Sequence, residues 1–449
     1  MRLSGTKTGS ANQYCGLGNQ LYDLAGSRPS LDLRFAESKS LNDSITGSNL
    51  ITFSRSSTAT YYDSAGVIQT ASNNTPRFDH DPVTGECLGL LIEDARTNLV
   101  PYSEATADSN TGWVNNASDN PTALSLNKLG VFDGVRVTSS GGNGQSIRTN
   151  TSNNGVSFTA GITYTVSAWF MDGDVNPSGK VRVVVKQGGV SGSCIVQSQD
   201  LTDVSGYSVF DNVNHGSISN ISLEDAGDSV YRLTFNFVPV STSTLYRVQI
   251  GPFSETSGET IIALGAQVEE GVNPSSYIPT NGSTATRSLD SVNITGTNFS
   301  SWYGNNEGSV FSETIYRSES GATQFTYAFN DGAIDDEIYN FKQANNNKVA
   351  FYIRESSSST VNFNHTYDDG PYGQQLKGAL AFDSNSAFSD LNDLTLKTQD
   401  NNVTIPVVNQ VRFGERINGA GRPFLTINRF TYWPSRLPND TLGTITKQF

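Results

Sequence analysis

The feature of this sequence that most restricts its fold is a two-residue alternation of apolar and polar side chains, which returns in many short runs. In residues 163–170, Tyr164, Val166, Ala168 and Phe170 lie on one side of an extended chain, and the residues between them lie on the other. Turn-forming residues separate the runs, and no stretch keeps a convincing 3.6-residue period over three turns. The pattern predicts an all-β protein whose main parts are antiparallel β-sandwiches of the jelly-roll type.

The composition agrees with extended β-structure and bears on the partners. Only 16% of the 449 residues are charged, so Ser, Thr, Asn and Gly must cover much of the surface, whereas helix surfaces favour Glu, Lys and Arg. The net charge is −14, and no stretch of the sequence is rich in Lys and Arg. Nucleic acids and anionic membranes are therefore not expected as partners, because a binder of either needs clustered cations.

No segment is expected to cross a membrane or to direct secretion. No apolar run approaches the roughly 20 residues that a membrane helix needs. Residues 1–10 are polar and lack the apolar stretch of a signal peptide. We therefore expect a chain that is made in the cytoplasm and is not inserted into a membrane.

Changes in composition divide the chain into three expected parts. Residues 1–94 begin with a weakly patterned Gly/Ser-rich stretch and are too poor in apolar residues to form a large core alone. Residues 95–284 contain a set of alternating runs and are expected to form a β-sandwich. Residues 285–449 follow a Pro/Ser/Gly-rich break at 274–283 and contain a second set, so we expect them to fold alone as a second sandwich.

Several long strings in the sequence resemble a family of bacteriophage structural proteins, often labelled as head-spike or tail-fibre components. LGLLIEDARTNL at 88–99 and LGAQVEEGVNPSSYIPT at 264–280, with ATRSLD at 285–290, are similar to the ends of that family's carbohydrate-binding-module-like sandwich. NITGTNFSSWYGNNEGSVFSE at 293–313 and INRFTYWPSRLPNDTL at 427–442 resemble the first and last strands of its terminal concanavalin/laminin-G-like domain. The resemblance covers roughly residues 31–449.

The resemblance implies a non-enzymatic virion surface fibre or spike, made in the host cytoplasm, that contributes to attachment to host-surface glycans. It also implies an N-terminal region that binds other virion proteins, and a homotrimer in which that region is buried between copies. It supplies no catalytic residues. Two alternatives stay open, a capsid decoration or tail connector without a ligand, and a polysaccharide-degrading spike. The second is the weaker one, because no long repetitive β-helix pattern is visible.

Few residues suggest catalysis or metal binding. The three histidines, His80, His215 and His365, each lie in a polar, turn-like stretch, which favours a surface role over acid/base chemistry. No cofactor is expected. The acidic cluster of 331–337 favours a solvated loop, and a Ca²⁺ site is its functional alternative, because hard cations bind clustered carboxylates. The ligands in that case would be Asp331, Asp335 and Asp336.

Aromatic residues beside carboxylates or turn residues are the candidates for a glycan site, because sugars stack on exposed rings and hydrogen-bond to acidic and amide groups. Trp169, Trp302 and Trp433 lie in or beside strand runs and are expected in the core. The low charge of the chain favours neutral sugars. The candidate glycan-binding residues are Tyr367, Asp368, Asp369 and Tyr372 in the segment 365–373, and Trp113 in a Gly/Asn-rich stretch.

Overall fold

The computed structural model describes residues 20–107, 112–116, 121–142, 145–149, 155–317, 323–344, 346–367, 372–392, 397–400, 403–419, 421 and 424–447. The chain forms two compact units. Unit 1 comprises Met1–Ser56, Ala71–Asp94 and Leu289–Phe449, and unit 2 comprises Ser57–Thr70 and Ala95–Ser288. Each unit contains two large antiparallel sheets, which confirms the predicted all-β class and its β-sandwich architecture.

The strands are short and follow one another closely along the chain. The first sixteen are β1 (Leu31–Leu33), β2 (Thr52–Ser54), β3 (Ala59–Tyr62), β4 (Ile68–Ala71), β5 (Phe78–His80), β6 (Cys87–Glu93), β7 (Arg96–Asn98), β8 (Trp113–Asn116), β9 (Thr122–Ala123), β10 (Val135–Thr138), β11 (Ser146–Thr149), β12 (Val156–Phe158), β13 (Tyr164–Asp172), β14 (Val181–Gln187), β15 (Cys194–Ser198) and β16 (Tyr207–Phe210).

The remaining described strands are β17 (Gly216–Asp225), β18 (Tyr231–Pro239), β19 (Ser243–Pro252), β20 (Thr260–Glu270), β21 (Ala285–Arg287), β22 (Ser291–Thr295), β23 (Gly308–Tyr316), β24 (Gln324–Asn330), β25 (Glu337–Lys342), β26 (Lys348–Glu355), β27 (Ser358–Thr366), β28 (Gln375–Phe382), β29 (Ser386–Leu391), β30 (Lys397–Asp400), β31 (Gln410–Phe413) and β32 (Phe424–Trp433). The described helices are α1 (Gln20–Ala25), α2 (Phe35–Ser38), α3 (Gly296–Ser300), α4 (Asn439–Ile445) and a 3-10 turn at Val204–Gly206.

Unit 1 is a sandwich of an eight-stranded and a seven-stranded sheet. The strand order is β30-β29-β28-β23-β32-β6-β5 in the first sheet, where β1 also pairs with β32, and β2-β22-β31-β24-β25-β26-β27 in the second. Alternation along β23 separates two apolar layers, because Val310 packs in the main core while Phe311 packs beneath α1 and α4. The short helices therefore cover the outer side of the eight-stranded sheet.

A β-bulge at Asn428 reverses the alternation in the middle of β32. Thr314 pairs with Ile427 and Glu313 pairs with Arg429, so Asn428 is the extra residue. Facing it on β6, Gly89 has a φ of +98°, and a Cβ at this position would lie 2.1 Å from the carbonyl oxygen of Ile427. Only glycine fits there, which explains the Gly in the string LGLLIEDARTNL.

The N-terminal part of the chain supplies strands to the sandwich of unit 1. β1 and β6 both pair with β32, which lies near the C-terminal end of the sequence. The sequence boundaries at 94 and 284 thus differ from the division in the structure, because residues 31–56 and 71–94 share a core with Leu289–Phe449. Composition along the chain cannot show which distant strands pair. The expected attachment role of residues 1–94 stays a prediction.

Unit 2 is a sandwich of a six-stranded and a seven-stranded sheet. The order is β17-β18-β13-β20-β10-β9 in the six-stranded sheet and β16-β15-β14-β19-β11-β8 in the seven-stranded one, where β12 also pairs with β19. Tyr164, Val166, Ala168 and Phe170 of β13 pack together in the core, as the alternation predicts. Trp169 faces the other way, into an apolar layer that covers the outside of the six-stranded sheet.

The described helices are short. Within the ranges given above, none is long and apolar enough to cross a membrane.

Candidate functional site

The outer face of the seven-stranded sheet of unit 2 carries charged residues instead of an apolar layer. Ile147, Val183 and Ile250 point into the core between the sheets. Because side chains alternate along a strand, their sequence neighbours point to the outer face. The register therefore places four cationic residues on this face, which we call the basic face and define as Arg148, Arg182, Lys186 and Arg247.

Three adjacent strands hold the four cations next to one another. Lys186 of β14 lies directly opposite Arg247 of β19, and Arg182 of β14 lies opposite Gly251 of β19. Arg148 of β11 lies opposite Gln249, two residues beyond Arg247. From ordinary strand spacing and rise, the patch measures about 10 Å across the strands and about 13 Å along them.

The basic face lacks counter-charges among the residues that the structure describes. None of its four cations makes an ion pair there, whereas other cations of unit 2 do. Lys128 lies 2.9 Å from Asp228, for example, and Lys180 lies 3.5 Å from Glu259. No described residue thus compensates the positive charge of the face, although the whole chain is acidic.

Two of the guanidinium groups also have buried nitrogen atoms for which the described part of the chain offers no hydrogen-bond acceptor. They are Nε and Nη1 of Arg148 and Nε of Arg247. A buried donor left unpaired costs about 1–3 kcal/mol, more when it is charged. A ligand with suitably placed oxygen atoms would recover that cost on binding.

The electrostatic environment of the face is unfavourable to its own charges. Burial lowers the pKa of the Arg148 and Arg182 guanidiniums, and burial together with the charge of Arg148 lowers the pKa of Arg247. The pKa of Lys186 is lowered by burial first, and then by the guanidiniums of Arg247, Arg148 and Arg182. An anion in contact with the face would relieve these effects.

The basic face has an apolar floor and an aromatic edge. Val184, between Arg182 and Lys186 on β14, is only 1% exposed although it points away from the core. Ile195 lies beside it on β15, and Phe210 of the edge strand β16 lies opposite Ile195. Phe210 is 48% exposed, so its ring is available to a ligand at the margin of the charged patch.

The tyrosines predicted to bind glycans are part of unit 1 and are only partly buried. Tyr367 donates from its hydroxyl to Gln374 Oε1 at 2.9 Å, and the Lys342 ammonium lies 4.5 Å from the ring centre of Tyr372. Both rings pack against the main core of unit 1. Asp368 and Asp369 lie outside the described residues. A role of Tyr367 and Tyr372 in glycan binding stays a prediction.

Trp113 is not presented to solvent. It is fully buried in the core of unit 2, and its indole N–H donates to the carbonyl oxygen of Tyr102 at 2.9 Å. The surrounding Gly and Asn residues suggested an exposed loop, but the ring fills a place in the sandwich interior. The other three tryptophans are buried, as predicted.

The three aspartates predicted as Ca²⁺ ligands stabilise turns of the chain. Asp331 Oδ1 accepts from the N–H of Ala333, Asp336 Oδ1 accepts from the N–H of Ser356, and Asp335 accepts from the hydroxyl of Ser357. Nowhere in the described part of the chain do three or more His, Cys, Asp or Glu side chains form a group that could hold a metal ion. The three carboxylates thus serve the turns between strands.

The histidines are buried, contrary to the expectation of surface positions. His80, His215 and His365 all have low exposure. His215 Nδ1 accepts from the N–H of Gln187 at 3.1 Å, so Nε2 carries the proton and donates to the carbonyl oxygen of Ser191 at 3.1 Å. The polar residues around each histidine mark a strand end or a turn, but the histidine side chain itself is still buried.

Unit 1 contains an open groove of about 620 Å³. The half-buried rings of Phe53 and Phe78 line it, together with the exposed residues Asn42, Asn49 and Asn74. Two of these amides are already engaged, because Asn49 Oδ1 accepts from Ile51 N–H and Asn74 Oδ1 accepts from Arg55 N–H. The groove carries fewer unsatisfied groups than the basic face.

Sequence reasoning did not find the basic face, because its members are spread over residues 148–247 and no two are adjacent. The only sign of it within a single strand is that Arg182 and Lys186 lie four residues apart on β14, on the same side as Val184. The charges cluster only when β11, β19 and β14 pair side by side.

No protein-family model matches the chain, and no curated protein matches it. Solved structures similar to part of it include the carbohydrate-binding module CBM40 of a Ruminococcus gnavus sialidase bound to α2,3-sialyllactose, at 18% identity, TM-score 0.28, 32% of this chain and 84% of that one. The botulinum neurotoxin serotype D binding domain has 13% identity, TM-score 0.29, and coverages of 35% and 40%. A leech intramolecular trans-sialidase has 17% identity, TM-score 0.27, and coverages of 32% and 23%. Similarity of this extent assigns neither a ligand nor a family to the chain.

Proposed function

We propose that the protein is a non-enzymatic glycan-binding component of a virion surface. The observation that carries glycan binding is the set of unpaired buried donors on the basic face, Arg148 Nε and Nη1 and Arg247 Nε. Saccharides present many oxygen acceptors on a compact, partly apolar frame. The exposed ring of Phe210 suits the carbon face of such a ligand.

The chemistry of the face favours binding over hydrolysis. Glycosidases use a pair of carboxyl groups on either side of the scissile bond. The four residues of the basic face contribute guanidinium and ammonium groups, and Gln197, opposite Arg182 on β15, adds an amide beside them. Arginine and lysine stay protonated at neutral pH and do not form a carboxyl pair.

The virion context rests on the sequence resemblance, and so do the proposed homotrimer and the binding of residues 1–94 to other virion proteins. A trimer would present three basic faces, and avidity would then raise weak single-site binding well above its intrinsic affinity. Sedimentation analysis of the full chain tests this part separately. A monomer at micromolar concentration would contradict a constitutive trimer.

An array of surface glycans probed with the labelled full chain tests glycan binding. We expect retention on at least one class of saccharide, without release of new reducing ends during incubation. Failure to bind any saccharide on the array would contradict the proposed function and would favour a decoration or connector role. Release of reducing ends would instead show an enzyme.

A further inference from the structure

We infer that the basic face binds an anionic saccharide, one that carries carboxylate or sulfate groups, and this inference rests on the proposed glycan-binding function. It replaces the neutral sugar that the low overall charge suggests. Four cations and no described counter-ion share one side of three adjacent strands.

The arrangement of the charges suits separate acidic groups along a ligand. Lys186 and Arg247 are opposite each other, while Arg182 lies four residues from Lys186 on the same strand. Arg148 lies on the neighbouring strand β11, opposite Gln249 of β19. A short oligosaccharide lying across these strands can therefore place one acidic group near Arg148 and Arg247 and another near Arg182.

The guanidinium group explains why carboxylate and sulfate are the preferred partners. Its planar fork donates two parallel hydrogen bonds to such an anion, and those bonds are stronger when both partners are charged. Arg148 has two buried nitrogen atoms, Nε and Nη1, without an acceptor among the described residues. Nε shares one edge of the guanidinium with Nη2, and Nη1 shares its end with Nη2, so these two donors can serve two separate oxygen atoms of a ligand.

Other parts of the face favour a saccharide over a nucleic acid. Gln197 and Ser208 present uncharged polar groups on the same face, and Phe210 presents an apolar ring. Nucleic-acid binding needs a basic stripe that follows many phosphates. Here the cations are confined to one small patch of a chain with a net charge of −14, which repels a long polyanion.

The test uses an array on which uronic-acid and sulfated saccharides stand beside their carboxyl-reduced or desulfated counterparts, with a single-stranded oligodeoxynucleotide as a further probe. We expect the full chain to prefer at least one acidic saccharide over its neutral counterpart by tenfold or more. We expect that preference to weaken as salt is raised. Comparison of the uronic-acid saccharides with the sulfated ones shows whether the protein binds a carboxylate or a sulfate group.

Variants locate the site. Arg148→Gln and Arg247→Gln should each lower affinity for the acidic saccharide by about tenfold or more, while thermal unfolding shows that the chain still folds. Arg136→Gln is the matched control, because Arg136 lies on β10 of the other sheet and pairs with Asp174. It should leave the affinity within about twofold.

Each other result contradicts the inference in a recognisable way. Equal binding of acidic and neutral saccharides leaves the proposed function standing and overturns the acidic specificity. An oligonucleotide bound as tightly as any saccharide overturns it in favour of a nucleic-acid ligand. Unchanged binding in both arginine variants, with loss in Phe53→Ala, moves the site to the groove of unit 1. Binding to no saccharide at all overturns the proposed function as well.

Discussion

Lys186 and Arg247 lie directly opposite each other on the paired strands β14 and β19. Like charges in this position destabilise a sheet, and partial burial adds to the effect. A sandwich that keeps such a pair, and surrounds it with Arg148 and Arg182, carries an unfavourable interaction that its own described residues do not offset. An anionic ligand would offset it.

Lys186→Met should therefore stabilise the protein while weakening its binding of an acidic saccharide. We expect a gain of about 0.2–1 kcal/mol in the free energy of unfolding, because the substitution removes the repulsion and keeps an apolar stem. Urea unfolding at low and high salt measures it, and the gain should shrink at high salt. Lys180→Met is the control and should give no gain, because the Lys180 ammonium lies near Glu259. Destabilisation by Lys186→Met at every salt concentration would contradict the account.

Asp290→Asn should strongly destabilise unit 1. The Asp290 carboxylate lies 3.0 Å from the Arg55 guanidinium and 2.5 Å from the Arg77 guanidinium. The Arg77 guanidinium also lies 2.6 Å from the Glu93 carboxylate, and all four side chains are fully buried. Removing one partner of a buried ion network costs about 3–5 kcal/mol, because a charge is left unpaired. Glu37→Gln, which affects an exposed pair with Arg34, should cost at most about 1 kcal/mol. Similar urea midpoints for the two variants would show that the network contributes little.

The fragment 285–449 should fail to unfold cooperatively, in contrast to the expectation from the sequence. Its strand β32 would lose both β1 and β6, which belong to the N-terminal part of the chain. The exposed strand edge and the loss of Leu31, Leu33, Leu90 and Ile92 from the core should cause aggregation. Differential scanning calorimetry of the fragment beside the full chain decides the matter. A single cooperative transition of the fragment would refute the prediction.

Acidification should destabilise unit 2 through His215. Burial lowers the pKa of His215 below its usual value of 6.5, although the carbonyls of Ser191 and Gly192 oppose this. The unfolded chain then takes up the proton first, so stability present at neutral pH is lost as pH falls from about 6.5 towards the folded-state pKa. Protonation also removes the acceptor that Nδ1 offers to Gln187. Urea unfolding at about pH 7.5 and about pH 6 should show a smaller change in His215→Gln than in the parent chain. An equal change in both would exclude His215 as the cause.

The sequence predicted the class of fold well, because alternation is a local property of each strand. The faces of β13 follow from it directly, and the expected burial of Trp169, Trp302 and Trp433 in or beside strand runs is confirmed. Pairing of strands far apart in the chain could not be predicted, since β6 and β32 are separated by more than three hundred residues.

The difference between local patterns and distant strand pairing also explains which parts of the candidate site could be predicted. The strings around Glu93 and Asp290 are distinctive in the sequence, but only the fold shows that both carboxylates bind the buried Arg77. The cations of the basic face are inconspicuous in the sequence and become a cluster through strand register. Trp113 and the histidines were misplaced because turn-like neighbours do not reveal where a side chain points.

A crystal structure of the full chain with a bound acidic saccharide, chosen as the strongest acidic binder on the array, tests the central claim most directly. The account predicts the acidic group of the ligand within hydrogen-bond distance of Arg148 and Arg247, and sugar carbons near the ring of Phe210. A ligand seated elsewhere, in the groove lined by Phe53 and Phe78 or against Tyr367 and Tyr372, would contradict it.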